Sequence, residues 1–321
     1  MELTKLNDSI KSSKNILLTS HINPDGDTLG AMCGMYAIIN ENYKKKCDML
    51  VMSKIPKNYE FIPNIKSAKH FEEYDKSREY DLVINLDVAS ADRLADGEIL
   101  FKKAKHTVNI DHHKTNNNYA DINIVNPEAS SASEVVADIA EKLDLKVSKE
   151  AAVALYTGVL TDTGSFRFDN TTAETFLCAS KLVEYGANPN LIYKNCYETE
   201  SKDLVMFQAY CVNKAEFSDD LKIAYSIVYK KYLEKYNGDE SFTDGLAEKL
   251  RAIVTTEVAF IAKELNNGWT KISMRSKNID VAEICSKFGG GGHKYASGCT
   301  IKSSVTDATA KIKEEIRKKL Q

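Results

Sequence analysis

The stretch LTSHINPDGDTLG, residues 18–30, follows the apolar residues NILL and sets His21, Asp25 and Asp27 within seven positions. Burial of apolar surface gives no reason to end a strand on three groups that bind protons or metal ions. Pro24-Asp25-Gly26 by itself reads as a turn, because Pro presets φ and Gly accepts unusual dihedrals. A turn leaves His21 and the second carboxylate, Asp27, without a purpose.

Working outward, the first half of the chain alternates short apolar runs with helical patterns. NILLTS, KCDMLVMS, YDLVINLD and HTVNID read as strands. TLGAMCGMYAIINENY, SASEVVADIAEKLD, KEAAVALYTGVL and TAETFLCASKLVEYG read as helices. Strands that alternate with helices and lack strict polar alternation predict an α/β fold, a doubly wound parallel sheet covered on both faces. Near GANPNLIYKN the pattern turns mainly helical, then LKIAYSIVY, AIVTTEVAFIA, WTKISMRS and ASGCTI read as strands before a charged terminal helix. The expected division is residues 1–188, a helical linker over 189–215, and a smaller α+β domain over 216–321 facing the first across a cleft.

The opening motif is one of several. LVINLD ends at Asp87, NIDHH supplies Asp111, His112 and His113, and Asp162 sits where a helical run breaks at DTGS. Ligands of doubly wound sheets gather outside the carboxyl ends of the strands. Like-charged carboxylates raise each other's pKa unless a cation lies between them. Five aspartates and three histidines directed to one rim therefore point to bound metal. Carboxylates with imidazole and without thiolate disfavour structural zinc and favour an open site for Mn²⁺ or a similar ion.

Composition sets limits on partners. The chain has 321 residues, 43% hydrophobic and 28% charged, with a formal net charge of −3. That balance argues against a broad grip on long duplex nucleic acid and leaves room for a short anionic substrate. Seven cysteines, at 33, 47, 178, 196, 211, 285 and 299, form no C-x-x-C pair and read as buried thiols in a reducing compartment. The first residues lack the apolar core of a signal peptide, and no apolar run approaches ~18 residues. The expectation is a cytoplasmic protein without membrane contact; assembly as a homodimer is left open.

HINPDGD, NLDVASADRL, DHH and TDTGSFRF resemble the four motifs of the DHH phosphoesterase superfamily. FGGGGHKYASG with ISMRS resembles the DHH-associated C-terminal domain of its oligoribonuclease/pAp-phosphatase branch. The resemblance spans nearly the whole chain; Ala31, where the family often has Ser, is a minor departure. It implies two Mn²⁺ ions, one held by His21 and Asp25, the other by Asp27, His112 and Asp162, with Asp87 bridging. His113 would face the substrate phosphate; Asp111 is best read as orienting an imidazole, with direct metal ligation as the alternative.

The run KFGGGGHKY on its own reads as a flexible connector. Its neighbours Lys287, His293 and Lys294, with Arg275 and Lys277 of MRSK, make it an expected phosphate or base cradle. The resemblance assigns substrate binding to Arg275, Gly290, Gly291, Gly292 and His293. The implied activity is hydrolysis of short oligoribonucleotides or linear dinucleotides to mononucleotides, with dephosphorylation of pAp. A cyclic-dinucleotide phosphodiesterase, an inorganic pyrophosphatase and a non-catalytic nucleotide sensor are the alternatives.

Overall fold

A computed structural model of the chain describes residues 1–75 and 77–320. It separates into two compact units, Met1–Thr199 and Glu200–Gln321. The first holds strands β1 (Ile16–Thr19), β2 (Asp48–Val51), β3 (Ala68–His70), β4 (Leu82–Leu86), β5 (His106–Asp111) and β6 (Ile122–Val125). Its helices are α1 (Glu2–Ser12), α2 (Gly26–Tyr43), α3 (Glu98–Lys103), α4 (Ala132–Lys142), α5 (Lys149–Asp162), α6 (Ala173–Glu184) and α7 (Pro189–Tyr197).

The six strands are parallel in the order β3-β2-β1-β4-β5-β6. Strands β1, β2 and β4 feed both cores: Ile16 and Leu18 of β1 face one helical layer, and Leu17 faces the other. This two-sided burial is why these three strands carry no strict polar alternation. The strand order reverses between β1 and β4, so the crevice for ligands opens beyond their carboxyl ends. One rung below that rim, Thr19 Oγ1 donates to Asn85 Oδ1 at 2.5 Å, and Tyr119 links Asn85 to Asn109. These residues tie β1, β4 and β5 into register directly under the site.

Two short strands, β3 and β6, extend the sheet beyond the four runs read from sequence; each has only three or four residues. The expected Pro24-Asp25-Gly26 turn is instead a helix start. Asp25 is the N-cap of α2, its carboxylate accepting from the backbone N–H of Asp27 and Thr28. Gly26 is needed for space, since a Cβ there would lie 2.4 Å from Thr161 Oγ1.

The second unit contains α8 (Lys202–Asn213), α9 (Lys230–Lys235), α10 (Leu246–Arg251), α11 (Val281–Ser286) and α12 (Val305–Leu320). Its strands are β7 (Glu216–Phe217), β8 (Ile223–Val228), β9 (Val258–Glu264), β10 (Thr270–Ser276), β11 (Gly291–His293) and β12 (Ala296–Ile301). They form one mixed sheet, β11-β12-β10-β9-β8-β7, in which β8 and β9 run parallel and the other pairs antiparallel. The run AIVTTEVAFIA divides: a turn exposes Val254, and the strand begins at Val258. Within the mainly helical stretch, α7 packs into the first unit and α8 into the second.

Helices α2 and α5 meet through glycine. Gly26, Gly30 and Gly34 recur at helical spacing on α2, and a Cβ on Gly30 would lie 2.5 Å from the Ala154 carbonyl and 2.9 Å from Gly158 N. Those neighbours are backbone and cannot step aside. Gly30→Ala gains roughly 1 kcal/mol of helix propensity, yet overpacking against backbone should cost about 3 kcal/mol, a net loss of about 2 kcal/mol. The expected outcome is a melting temperature lower by several degrees in thermal denaturation; an unchanged or higher value would refute the close approach.

Candidate metal centre

The loops and helix ends above β1, β4 and β5 bring the eight predicted residues of the first unit to one rim. Three overlapping groups have potential ligand atoms within 4.8 Å of one another: His21–Asp25–Asp87, Asp27–His112–Asp162 and Asp87–His112–His113. Asp87 belongs to two of them, and it follows β4 with φ of +62°. A non-glycine residue in the left-handed region is strained, and such strain concentrates at functional sites.

Hydrogen-bond partners orient the imidazoles of this rim. His21 Nδ1 lies 2.7 Å from the Ile22 carbonyl, and His112 Nδ1 lies 3.3 Å from the Ala129 carbonyl. A carbonyl only accepts, which places a hydrogen on Nδ1 in both rings, so that in the neutral ring Nε2 carries the lone pair a metal would take. The Nε2 of His112 then faces Asp87 Oδ1 and Asp162 Oδ2 at 3.6 Å each and Asp27 Oδ2 at 4.0 Å. That of His21 faces Asp87 Oδ2 at 3.4 Å. Lone pairs confront carboxylate oxygens, an arrangement that repels unless a cation or proton stands between them. Asp87 is 3% exposed, and its buried Oδ1 has no hydrogen-bond partner. The donor set therefore fits divalent metal, with the backbone carbonyls fixing imidazole orientation as ligand supports do.

Burial and mutual repulsion raise three carboxyl pKa values of this rim. Burial, then the charges of Asp27 and Asp25, pushes Asp87 well above the usual carboxylate range. Burial, then the same two neighbours, raises Asp162 to about 8. Burial raises Asp27 as well, although His112 and Ser133 oppose it. Asp27 is also the carboxylate with the strongest backbone support. Its oxygens accept from the N–H of Ala132 at 2.6 Å and of Ser133 at 2.9 Å, at the start of α4. Helix N-termini present such donors with a favourable dipole.

His113 and Asp111 stand apart from this pattern. His113 Nδ1 bonds Asp111 Oδ1 at 2.7 Å, and that bond raises the His113 pKa to about 9. Asp111 is fully buried; burial alone would raise it, but His113 and Asn116 outweigh that and hold it below its ordinary value. The His113 side chain remains 43% exposed. It is the imidazole of the rim most open to solvent.

Three supports of the rim were absent from the motif reading: Thr28, Asn116 and the α4 N-terminus. Thr28 Oγ1 lies 2.6 Å from both His21 Nε2 and Asp87 Oδ2, and Asn116 donates to Asp111 Oδ2 at 2.6 Å. The run Ser130-Ser131-Ala132-Ser133 carries the signal for the helix start, since Ser131 caps α4. Sequence alone does not say which anion that start faces.

The predicted substrate residues lie in the second unit. The expected glycine loop is largely an edge strand: β11 pairs with β12 through Gly291, Gly292 and His293, with Lys294-Tyr295 at the hairpin turn. Gly290 allows this, because a Cβ would lie 2.2 Å from the Gly298 carbonyl. All three β11 residues are exposed. Arg275 Nε donates to Glu248 at 2.7 Å and one Nη1 hydrogen goes to the Met274 carbonyl. Lys277 is engaged by the Ile253 and Val254 carbonyls and Lys287 by Glu315. The basic cluster read from sequence is therefore largely paired within the protein. No described helix is long and apolar enough to cross a membrane.

Residues 15–159 match the DHH family N-terminal domain and residues 220–321 match the DHHA1 domain. A probable bifunctional oligoribonuclease and PAP phosphatase NrnA of Streptococcus mutans is 32% identical over 90% of this chain and 90% of its own. The bifunctional oligoribonuclease and PAP phosphatase NrnA of Thermus thermophilus is 28% identical over 95% of this chain and 90% of its own. The fold is that of an exopolyphosphatase-related protein from Bacteroides fragilis, at a TM-score of 0.90 and 24% identity over 99% of this chain and 96% of that one. With its site residues gathered at the sheet's switch point and both domain types in order, this chain belongs to the DHH family.

Proposed function

We propose that this chain is a metal-dependent phosphoesterase that cuts short oligoribonucleotides and linear dinucleotides to mononucleotides and dephosphorylates pAp. The observation that carries the metal requirement is Asp87, a buried carboxyl with an unpaired oxygen shared by two ligand groups. The relatives' named activities carry the substrate class. In this reading His21 and Asp25 hold one ion, Asp27, His112 and Asp162 hold the other, and Asp87 serves both. Mixed carboxylate and imidazole donors favour Mn²⁺ over Mg²⁺, which prefers oxygen and water. Such ions supply Lewis-acid polarisation of the phosphoryl group and a lowered pKa for water.

The chain's own groups do the rest. Asp111 fixes the His113 ring, which directs its other N–H to the phosphoryl oxygens where charge grows. The N–H groups at the start of α4 spread the charge of Asp27. Arg275 has five N–H donors, two of them engaged, so three remain for a substrate phosphate. The bare backbone of β11 offers a surface on which a base or sugar can lie close. A net charge of −3 provides no electrostatic track for a long strand.

Removing metal with EDTA should silence turnover, and Mn²⁺ should restore it better than Mg²⁺ or Ca²⁺. Asp87→Asn should abolish turnover while the protein stays folded by circular dichroism; near wild-type activity in this variant would defeat the two-ion reading. A substrate panel with Mn²⁺, scored by product, should show dimers to pentamers cut much faster than a ~24-mer. Preferred hydrolysis of cyclic dinucleotide or pyrophosphate would instead select those activities. Arg275→Ala removes a charge-assisted contact worth about 1.5–3 kcal/mol, so kcat/KM on a dinucleotide should fall roughly 10- to 150-fold. Hydrolysis of bis-p-nitrophenyl phosphate, which lacks a distal nucleotide, should change little. Equal losses on both substrates would reassign Arg275 to the phosphate being cleaved.

A further inference from the structure

Thr28 is the third residue of α2, a position where a hydroxyl usually serves the helix start or faces water. Here it is fully buried. Its Oγ1 lies 2.6 Å from His21 Nε2, 2.6 Å from Asp87 Oδ2 and 3.2 Å from Asp25 Oδ1. Asp87 is 59 positions away in sequence, so the contact belongs to the site and not to helix capping.

The hydroxyl is thus surrounded by the donor atoms of one entire ligand group. A threonine hydroxyl has one hydrogen, and Asp87 Oδ2, Asp25 Oδ1 and, in the neutral ring, the His21 Nε2 lone pair all accept. One hydrogen satisfies one acceptor; the other two are left for a cation. Asp87 is the partner that fits donation best, because a charged acceptor makes the shorter and stronger bond. Donation to Oδ2 also has a geometric result. It turns that oxygen toward His21 and Asp25 and leaves Oδ1 unpaired between His112 Nε2 at 3.6 Å and His113 Nδ1 at 3.5 Å.

We propose that Thr28 is a positioning residue for the metal centre: its hydroxyl fixes Asp87 so that each carboxylate oxygen serves one ligand group, and thereby sets divalent-cation affinity at His21–Asp25–Asp87. The inference rests on the metal reading above and adds to it a residue whose hydroxyl, not its bulk, is required. Supports of this kind contribute roughly 10- to 100-fold to metal affinity.

The test is titration calorimetry of Mn²⁺ into the metal-stripped full chain, with thermal melting in EDTA alongside. Thr28→Val keeps the shape and removes the hydroxyl; Thr28→Ser keeps the hydroxyl and removes the methyl. One Mn²⁺ binding step should weaken roughly 10- to 100-fold in Thr28→Val, and Thr28→Ser should stay within a few-fold of wild type. Thr28→Ala replaces Thr28→Val if the latter fails to fold. Unchanged Mn²⁺ affinity in the variant lacking the hydroxyl overturns the proposal. So does equal weakening in Thr28→Ser, which would show that packing, not the hydroxyl, sets the affinity. Absence of Mn²⁺ binding by the wild type is a distinct result that overturns the metal reading itself, and this inference with it.

Discussion

Asp87 is buried with one carboxylate oxygen bonded by Thr28 and the other, near His112 and His113, left without a hydrogen-bond partner. Burying an ionised carboxylate without a partner is expensive, and holding Asp87 in the left-handed region adds backbone strain. Both are tolerated because β4 and its neighbours leave the residue no alternative. The Asp87 N–H donates to the Ile110 carbonyl at 2.9 Å, which anchors the turn to β5. Burial and this concentration of acidic groups together raise the pKa values of Asp87 and Asp162. A divalent cation is the simplest species that relieves it.

The remaining ligand groups reach Asp87 because helices α2, α4 and α5 approach closely. Gly30 and Gly34 let α2 lie against the backbone and Leu155 of α5, while Gly158 leaves room for the Asp27 carboxylate and Ser133. A Cβ on Gly158 would come within 2.6 Å of Asp27 Oδ1. The same close packing that fills the core thus sets Asp27 between its own helix start and that of α4, beside Asp162 at the end of α5. Stability and ligand geometry share residues here. Core changes far from the chemistry should therefore disturb metal binding as well as melting.

The second unit uses glycine in the same way for a different end. Gly290 lets the chain cross close over β12, and the exposed β11 edge follows without side chains to cover it until His293. Arg275 stands on β10, already oriented by Glu248. An oriented guanidinium loses less freedom when it binds phosphate than a free one would. Pairing of Lys277 and Lys287 within the protein concentrates the available anion recognition on fewer groups than the sequence indicates.

Much of this was legible from residue order alone. Apolar runs without polar alternation dictated a sheet covered on both faces, and strand-ending Asp87, Asp111, His112 and His113 marked the rim where ligands collect. Asp25 and Asp27 were legible as a pair because two carboxylates so near a histidine have no role in a turn. Which acceptor faces which was not legible, because it depends on helices meeting across more than a hundred residues: Asp27 meets Ala132 and Ser133 only once α2 packs beside α4. Nor was Thr28, whose hydroxyl gains meaning from Asp87, 59 positions on. The glycine run by itself reads as a flexible connector, and with its basic neighbours as a substrate cradle; pairing with β12 supplied the hydrogen bonds that made it a strand. Periodicity and motif chemistry act over a few residues and fix the elements and the kind of site. Hydrogen-bond partners and lone-pair directions are set by close approach between distant segments, and only the tertiary structure decides those.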